Sequence, residues 1–123
     1  MQHSSTILLS LFTFLPSCAY QQVSYKQDIS PIFARSCNGC HIAPGGPGYR
    51  ATGLKMDSYE SIIQGTIYGP VIVAGDSRRS ILNMLVEGRA GKKQSKPHGD
   101  EDDISGEEIK ILKHWVDQGA LNN

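Results

Sequence analysis

Cys37-Asn38-Gly39-Cys40-His41 is the stretch on which the reading of this chain turns. Two cysteines separated by two residues bring both thiols to one side of a short turn, and the next residue adds an imidazole. This spacing suits haem c attachment: the thiols add across two vinyl groups on one edge of a porphyrin, and the histidine becomes the proximal iron ligand. Gly39 is expected to supply the backbone freedom that a tight two-thiol loop demands. Other readings use the same residues. A redox dithiol calls for a βαβ context, which the chain lacks. A zinc site calls for two further ligands, and there is no second CxxC and no HxxxH. A Cys37–Cys40 disulfide stays open in an exported protein.

Export is the reading of the N-terminus. Ile7 to Leu15 is an apolar run too short to span a bilayer but suited to the core of a signal peptide, here residues 1–19. The segment before it carries His3 but neither Lys nor Arg. Ser17-Cys18-Ala19 provides small residues for cleavage before Tyr20, whereas Leu15-Pro16-Ser17-Cys18 resembles a lipobox that would leave Cys18 lipidated and the protein membrane-associated. Pro16 sits awkwardly in the second, so the first is preferred. The expected location is the periplasm.

The mature part, residues 20–123, is the size of one small domain. The whole chain, with 39% hydrophobic and 20% charged residues, is ordinary globular material, although a rigid apolar cofactor would add to the modest core of the mature part. Formal net charge is zero. Lys26 to Lys96 holds ten basic and five acidic residues, and Pro97 to Asn123 two and seven, which is either a docking dipole or two solvated loops. No basic stripe with interleaved aromatics points to nucleic acid.

Helical spacing of Tyr25, Ile29, Ile32 and Phe33 leads into Cys37, with Pro31 expected to kink the helix or to stand in the first turn of one that begins at Ser30. Ala43 to Gly53 is read as a loop whose glycines let backbone approach a flat ligand. Asp57 or Ser58 caps a helix to about Gln64 that Gly65 ends, and Gly69 to Val73 is extended and apolar. Asp76 is expected to cap a helix from Ser77 to Glu87, closed by Gly88. Arg89 to Asp103 is a polar loop containing Lys96-Pro97-His98. Ser105 and Glu108 form a capping box for the last helix, ended by Gly119. Its inward arc is Ile109, Leu112, Trp115 and Val116; Glu107, Lys110, Lys113 and His114 lie opposite.

In order, Tyr25-Lys26-Gln27-Asp28-Ile29-Ser30-Pro31-Ile32-Phe33, the CxxCH, Gly53-Leu54 with Asp57-Ser58-Tyr59-Glu60, Gly75-Asp76 with Ser80-Ile81-Leu82, Ile104-Ser105 with Glu108-Ile109, and Trp115-Val116-Asp117-Gln118-Gly119-Ala120 resemble bacterial monohaem c-type cytochrome domains, relatives of class I cytochrome c. The resemblance covers nearly the whole mature chain. It implies an all-α fold around one covalently bound haem c, with the first and last helices crossing and one haem edge exposed. Trp115 is then expected to pack on Ile29, Ile32 and Phe33. Such domains commonly carry Met-Pro before the last helix, the sulfur being the sixth iron ligand; here Lys96 precedes Pro97. The distal candidates are His98 first, then Met84, Lys96 or an open iron. Met56 is read as packing and His114 as solvent-facing.

The expected function is one-electron transfer between a redox protein donor and acceptor, with no bond chemistry and so no enzyme activity. Arg78, Arg79, Arg89, Lys92 and Lys93 are candidate docking charges. An alternative is a haem-based ligand-binding or sensor protein with an open or weakly ligated iron. A disulfide-stapled binding module without haem is the third.

Overall fold

Ser24 starts the ordered helical run: its hydroxyl accepts the Gln27 N–H at 3.2 Å, and its own N–H is held by Asp28 at 2.8 Å. A π-helical turn, Tyr25–Ile29, follows, and α1, Ser30–Ser36, takes over with Pro31 in its first turn. Of the two sequence expectations for Pro31, the helix beginning at Ser30 is the one met. Lacking an N–H, proline is tolerated where no intrahelical donor is needed, and the widened π turn absorbs the mismatch before it.

The computed structural model describes residues 21–91 and 104–123, so the leader, Cys18, Lys92, Lys93, Lys96 and His98 lie outside the described residues. After α1 come α2 (Pro47–Thr52), α3 (Tyr59–Gln64), α4 (Ile81–Val86) and α5 (Gly106–Asp117). The described residues are mostly helical and contain no strand, only an isolated bridge between Thr66 and Gly69. None of their helices is long and apolar enough to cross a membrane.

Two elements differ from the sequence expectation. The 43–53 stretch is not all loop, because Pro47 opens α2 at a position that needs no N–H, and Gly53 closes it in the left-handed region at φ 74°. The helix expected from Ser77 begins only at Ile81. Asp76 does cap, but a separate turn, its carboxylate accepting the Arg79 N–H at 3.1 Å. Ser80 then ends that turn: its hydroxyl donates to the Asp76 carbonyl at 2.8 Å and accepts from the Val73 N–H at 2.8 Å. Elsewhere the local signals hold. Ser58 rather than Asp57 caps α3, and the Ser105–Glu108 capping box opens α5.

The core is where the chain ends meet. Leu112, Trp115 and Val116 of α5 are fully buried in one cluster with Tyr25, Ile29, Ile32 and Phe33. Trp115 stacks tilted on Tyr25 at 5.7 Å and edge-on to Phe33 at 6.1 Å, and Tyr25 meets Tyr59 edge-on at 5.1 Å. Asn123 ties the last residue to the first turn, its carbonyl accepting from Lys26 N–H at 3.0 Å and its side chain from Tyr25 N–H at 2.8 Å. Arg35 of α1 and Glu108 of α5 pair at 2.7 Å across the surface, an exposed contact that adds little.

Asp117 fastens the 75–80 turn to α5. Burial pushes its carboxyl up, but the Lys113 ammonium at 2.6 Å and the Ser77 N–H at 2.9 Å outweigh that and bring it down to about 2. A carboxyl depressed in the folded state stabilises above its unfolded value and loses that contribution as pH falls through the folded one. Stability is therefore expected to drop between pH about 4 and pH about 2 in a step that Asp117→Asn removes. Urea midpoints at successive pH values check it; parallel profiles for the two proteins would refute it.

Candidate functional site

The end of α1 delivers the cysteines. Cys37 is its C-cap, bonded through its N–H to the Phe33 carbonyl at 3.0 Å, and the Cys40 and His41 N–H groups turn back onto the Cys37 carbonyl at 3.2 and 3.0 Å. Cys37 is half-buried, Cys40 is exposed, and His41 is 8% exposed. Both cysteines are thiols, so the Cys37–Cys40 disulfide of the third reading is not formed. Gly39 is a correction: it is absent from the positive-φ glycines, and a Cβ there would meet open space, so the turn does not require glycine at this position.

What glycine does for the site happens farther along. A Cβ on Gly46 would collide with the Cys40 carbonyl oxygen. A Cβ on Gly48 would stand 2.6 Å from His41 Cε1 and 2.8 Å from Nε2. The glycine-rich loop thus lies against the imidazole itself, where the sequence reading had it approach a flat ligand. The other side of the ring is fixed by hydrogen bonding: Nδ1 is 3.3 Å from the Leu54 carbonyl oxygen, and the Met56 N–H bonds the His41 carbonyl at 2.9 Å. With Nδ1–H donating to Leu54, a neutral ring carries its lone pair on Nε2, the nitrogen suited to a metal.

Cys37, Cys40 and His41 open onto one cleft. Its walls are hydrocarbon for the most part: Leu54, Met56, Val71, Leu82, Leu85, Val86 and Ile104, with Ile81 half-exposed at 50%. The space free of atoms is about 1040 Å³, its mouth included. Hydroxyls enter from Ser36, Thr52 and Thr66, and Thr52 and Thr66 already bond backbone, to Gly48 at 2.8 Å and Gly69 at 3.0 Å.

Met84 does not line this cleft. On α4 the residues that do are Ile81, Leu82, Leu85 and Val86, while Met84 is half-buried beside them. As a distal ligand it stays a proposal of the sequence, behind His98. Met56 is buried in the core, as expected, and also lines the cleft, on the wall bonded to His41. His114 is exposed, as its helical arc predicted. Lys96 and His98 lie outside the described residues.

The docking charges are only partly available. Arg89 is engaged with Glu87 and with the carbonyls of Ser77 and Arg78, and Arg79 lies 3.9 Å from Asp76. Among the described residues no group of three or more His, Cys, Asp or Glu could hold a metal, so a zinc site finds no partner ligands there. The sequence reading missed Leu54 as the acceptor for His41 and Ile104 as a cleft residue. Gly53-Leu54 and Ile104-Ser105 had stood out only as landmarks. Compared with known proteins, the chain matches no family model, no curated protein and no solved structure.

Proposed function

We propose that this protein is an exported monohaem c-type cytochrome of class I type, which passes single electrons between a redox donor and an acceptor in the periplasm, either soluble or held by lipid on Cys18. The observation that carries the reading is the shared opening of two thiols and one oriented imidazole onto a single apolar cleft. The residues fit the group: Cys37 and Cys40 would form the thioethers, and His41 Nε2 would be the proximal ligand. When bound, haem c supplies a one-electron couple, and the protein makes and breaks no substrate bonds.

The chain's own residues hold and insulate. Leu54 keeps the His41 tautomer with Nε2 unprotonated, and Gly48 leaves room for the ring. Leu82, Leu85 and Val86 keep water from the cleft wall, which lowers the local dielectric and favours the less charged redox state. Cys40, being exposed, marks the edge through which electrons would enter and leave. For the distal position the sequence proposal is His98, then Met84 and Lys96.

A second reading, an open-iron sensor or ligand binder, draws support from α4, whose cleft face is hydrocarbon alone. One experiment separates them: absorbance and low-temperature electron paramagnetic resonance on the protein matured with haem, wild type against His98→Ala. A low-spin wild type that turns high-spin in the variant is the expected result. A high-spin wild type that binds carbon monoxide on reduction would favour the sensor, and a colourless protein would sink both.

A further inference from the structure

A second cavity lies behind one wall of the cleft. Residues 52–55 alternate between the two spaces: Thr52 and Leu54 face the apolar cleft, whereas Gly53 and Lys55 line the second cavity, and Thr66 borders both. This cavity encloses about 520 Å³ free of atoms, its mouth included. Tyr49, Ser61 and Gln64 also line it, and no carboxylate does. Lys55 is half-buried, and among the described residues it has no acidic partner within ion-pair distance. The half-buried Tyr49 hydroxyl and the side-chain amide of Gln64, an exposed residue, likewise have no hydrogen-bond partner among the described residues.

A half-buried lysine without an acidic partner, beside a hydroxyl and an amide in a cavity without acidic groups, is matched by an anion. The anion offsets the charge and uses the O–H and N–H groups, and charge-assisted bonds of this kind are the stronger ones. We propose that the cavity is an oxyanion site of carboxylate or phosphate type, with Lys55 as its cation and Tyr49 and Gln64 as donors. Its position has a consequence for the cleft. Lys55 follows Leu54, whose carbonyl lies 3.3 Å from His41 Nδ1, so the cation of the site is carried on the residue next to the one that orients the imidazole.

The anion has two sources: a free oxyanion from solution, or a carboxylate of the haem in the adjoining cleft. Only the second rests on the haem reading. Thermal unfolding of the mature protein is measured in rising inorganic phosphate, with chloride holding ionic strength constant. A free-anion site predicts a midpoint rise of about 6–7 °C at ten times the dissociation constant. That rise is absent in Lys55→Met and partly restored in Lys55→Arg. A haem carboxylate predicts no phosphate response, and instead a carbodiimide-induced amide between Lys55 and the haem, found by peptide mass spectrometry. Neither response in a coloured protein overturns the site. If the protein carries no haem, the electron-carrier reading fails separately, and the phosphate series alone decides.

Discussion

Trp115→Ala is expected to cost the domain ~3–5 kcal/mol, a large part of the roughly 5–15 kcal/mol that holds a domain together. Trp115 is fully buried, touches Tyr25 and Phe33 through its ring, and donates Nε1–H to the Leu121 carbonyl at 3.0 Å. Truncation leaves a cavity between the first and last helices, where the chain ends are pinned together and neighbours cannot collapse freely. Leu121 itself is 45% exposed, so losing the donor to its carbonyl is the smaller part of the cost. Trp115→Phe, which keeps most of the volume, is expected to recover most of the stability. Urea midpoints for the three proteins check this; a loss below about 1 kcal/mol in Trp115→Ala would mean that the aromatic cluster is not the main clamp.

Gly48→Ala is expected to run against helix propensity. Gly48 lies within α2, where alanine normally stabilises by ~1 kcal/mol. Here the new Cβ would stand 2.6 to 2.9 Å from three atoms of the His41 ring. That ring is buried, bonded at Nδ1, and carried on a backbone whose N–H and carbonyl are both engaged. Either His41 rotates away from Leu54 or α2 lifts off, at a cost of about 1–3 kcal/mol. The larger effect falls on the ligand direction. In the haem-loaded protein the variant is expected to weaken the proximal bond and raise the high-spin fraction, and in the haem-free chain to shift the His41 ring signals in proton NMR. Unchanged ring signals with a gain in stability would show that α2 yields instead.

What could be read locally was read well. The Ser105–Glu108 box, the Ser58 cap, Gly65 after α3 and the inward arc of α5 each depend on residues a few positions apart. Spacing alone is enough for these, because a cap or a helical face is complete within one or two turns. The errors arose where distant parts compete for the same groups. Asp76 was a sound cap, but Ser80 bonds Val73 and Asp76 and so restarts the helix at Ile81. Gly and Pro density hid α2, whose Pro47 stands where proline is tolerated.

By itself, then, the sequence determined the helical class, the caps of α3 and α5 and the candidate trio Cys37, Cys40 and His41. Those follow from residue chemistry and short-range periodicity. Only the tertiary structure decided that Leu54 holds His41 and that Gly48 makes room for it. It alone put Lys55 beside a second cavity. Each of these depends on which segment packs against which, and packing direction is set by the burial of side chains far apart in the chain.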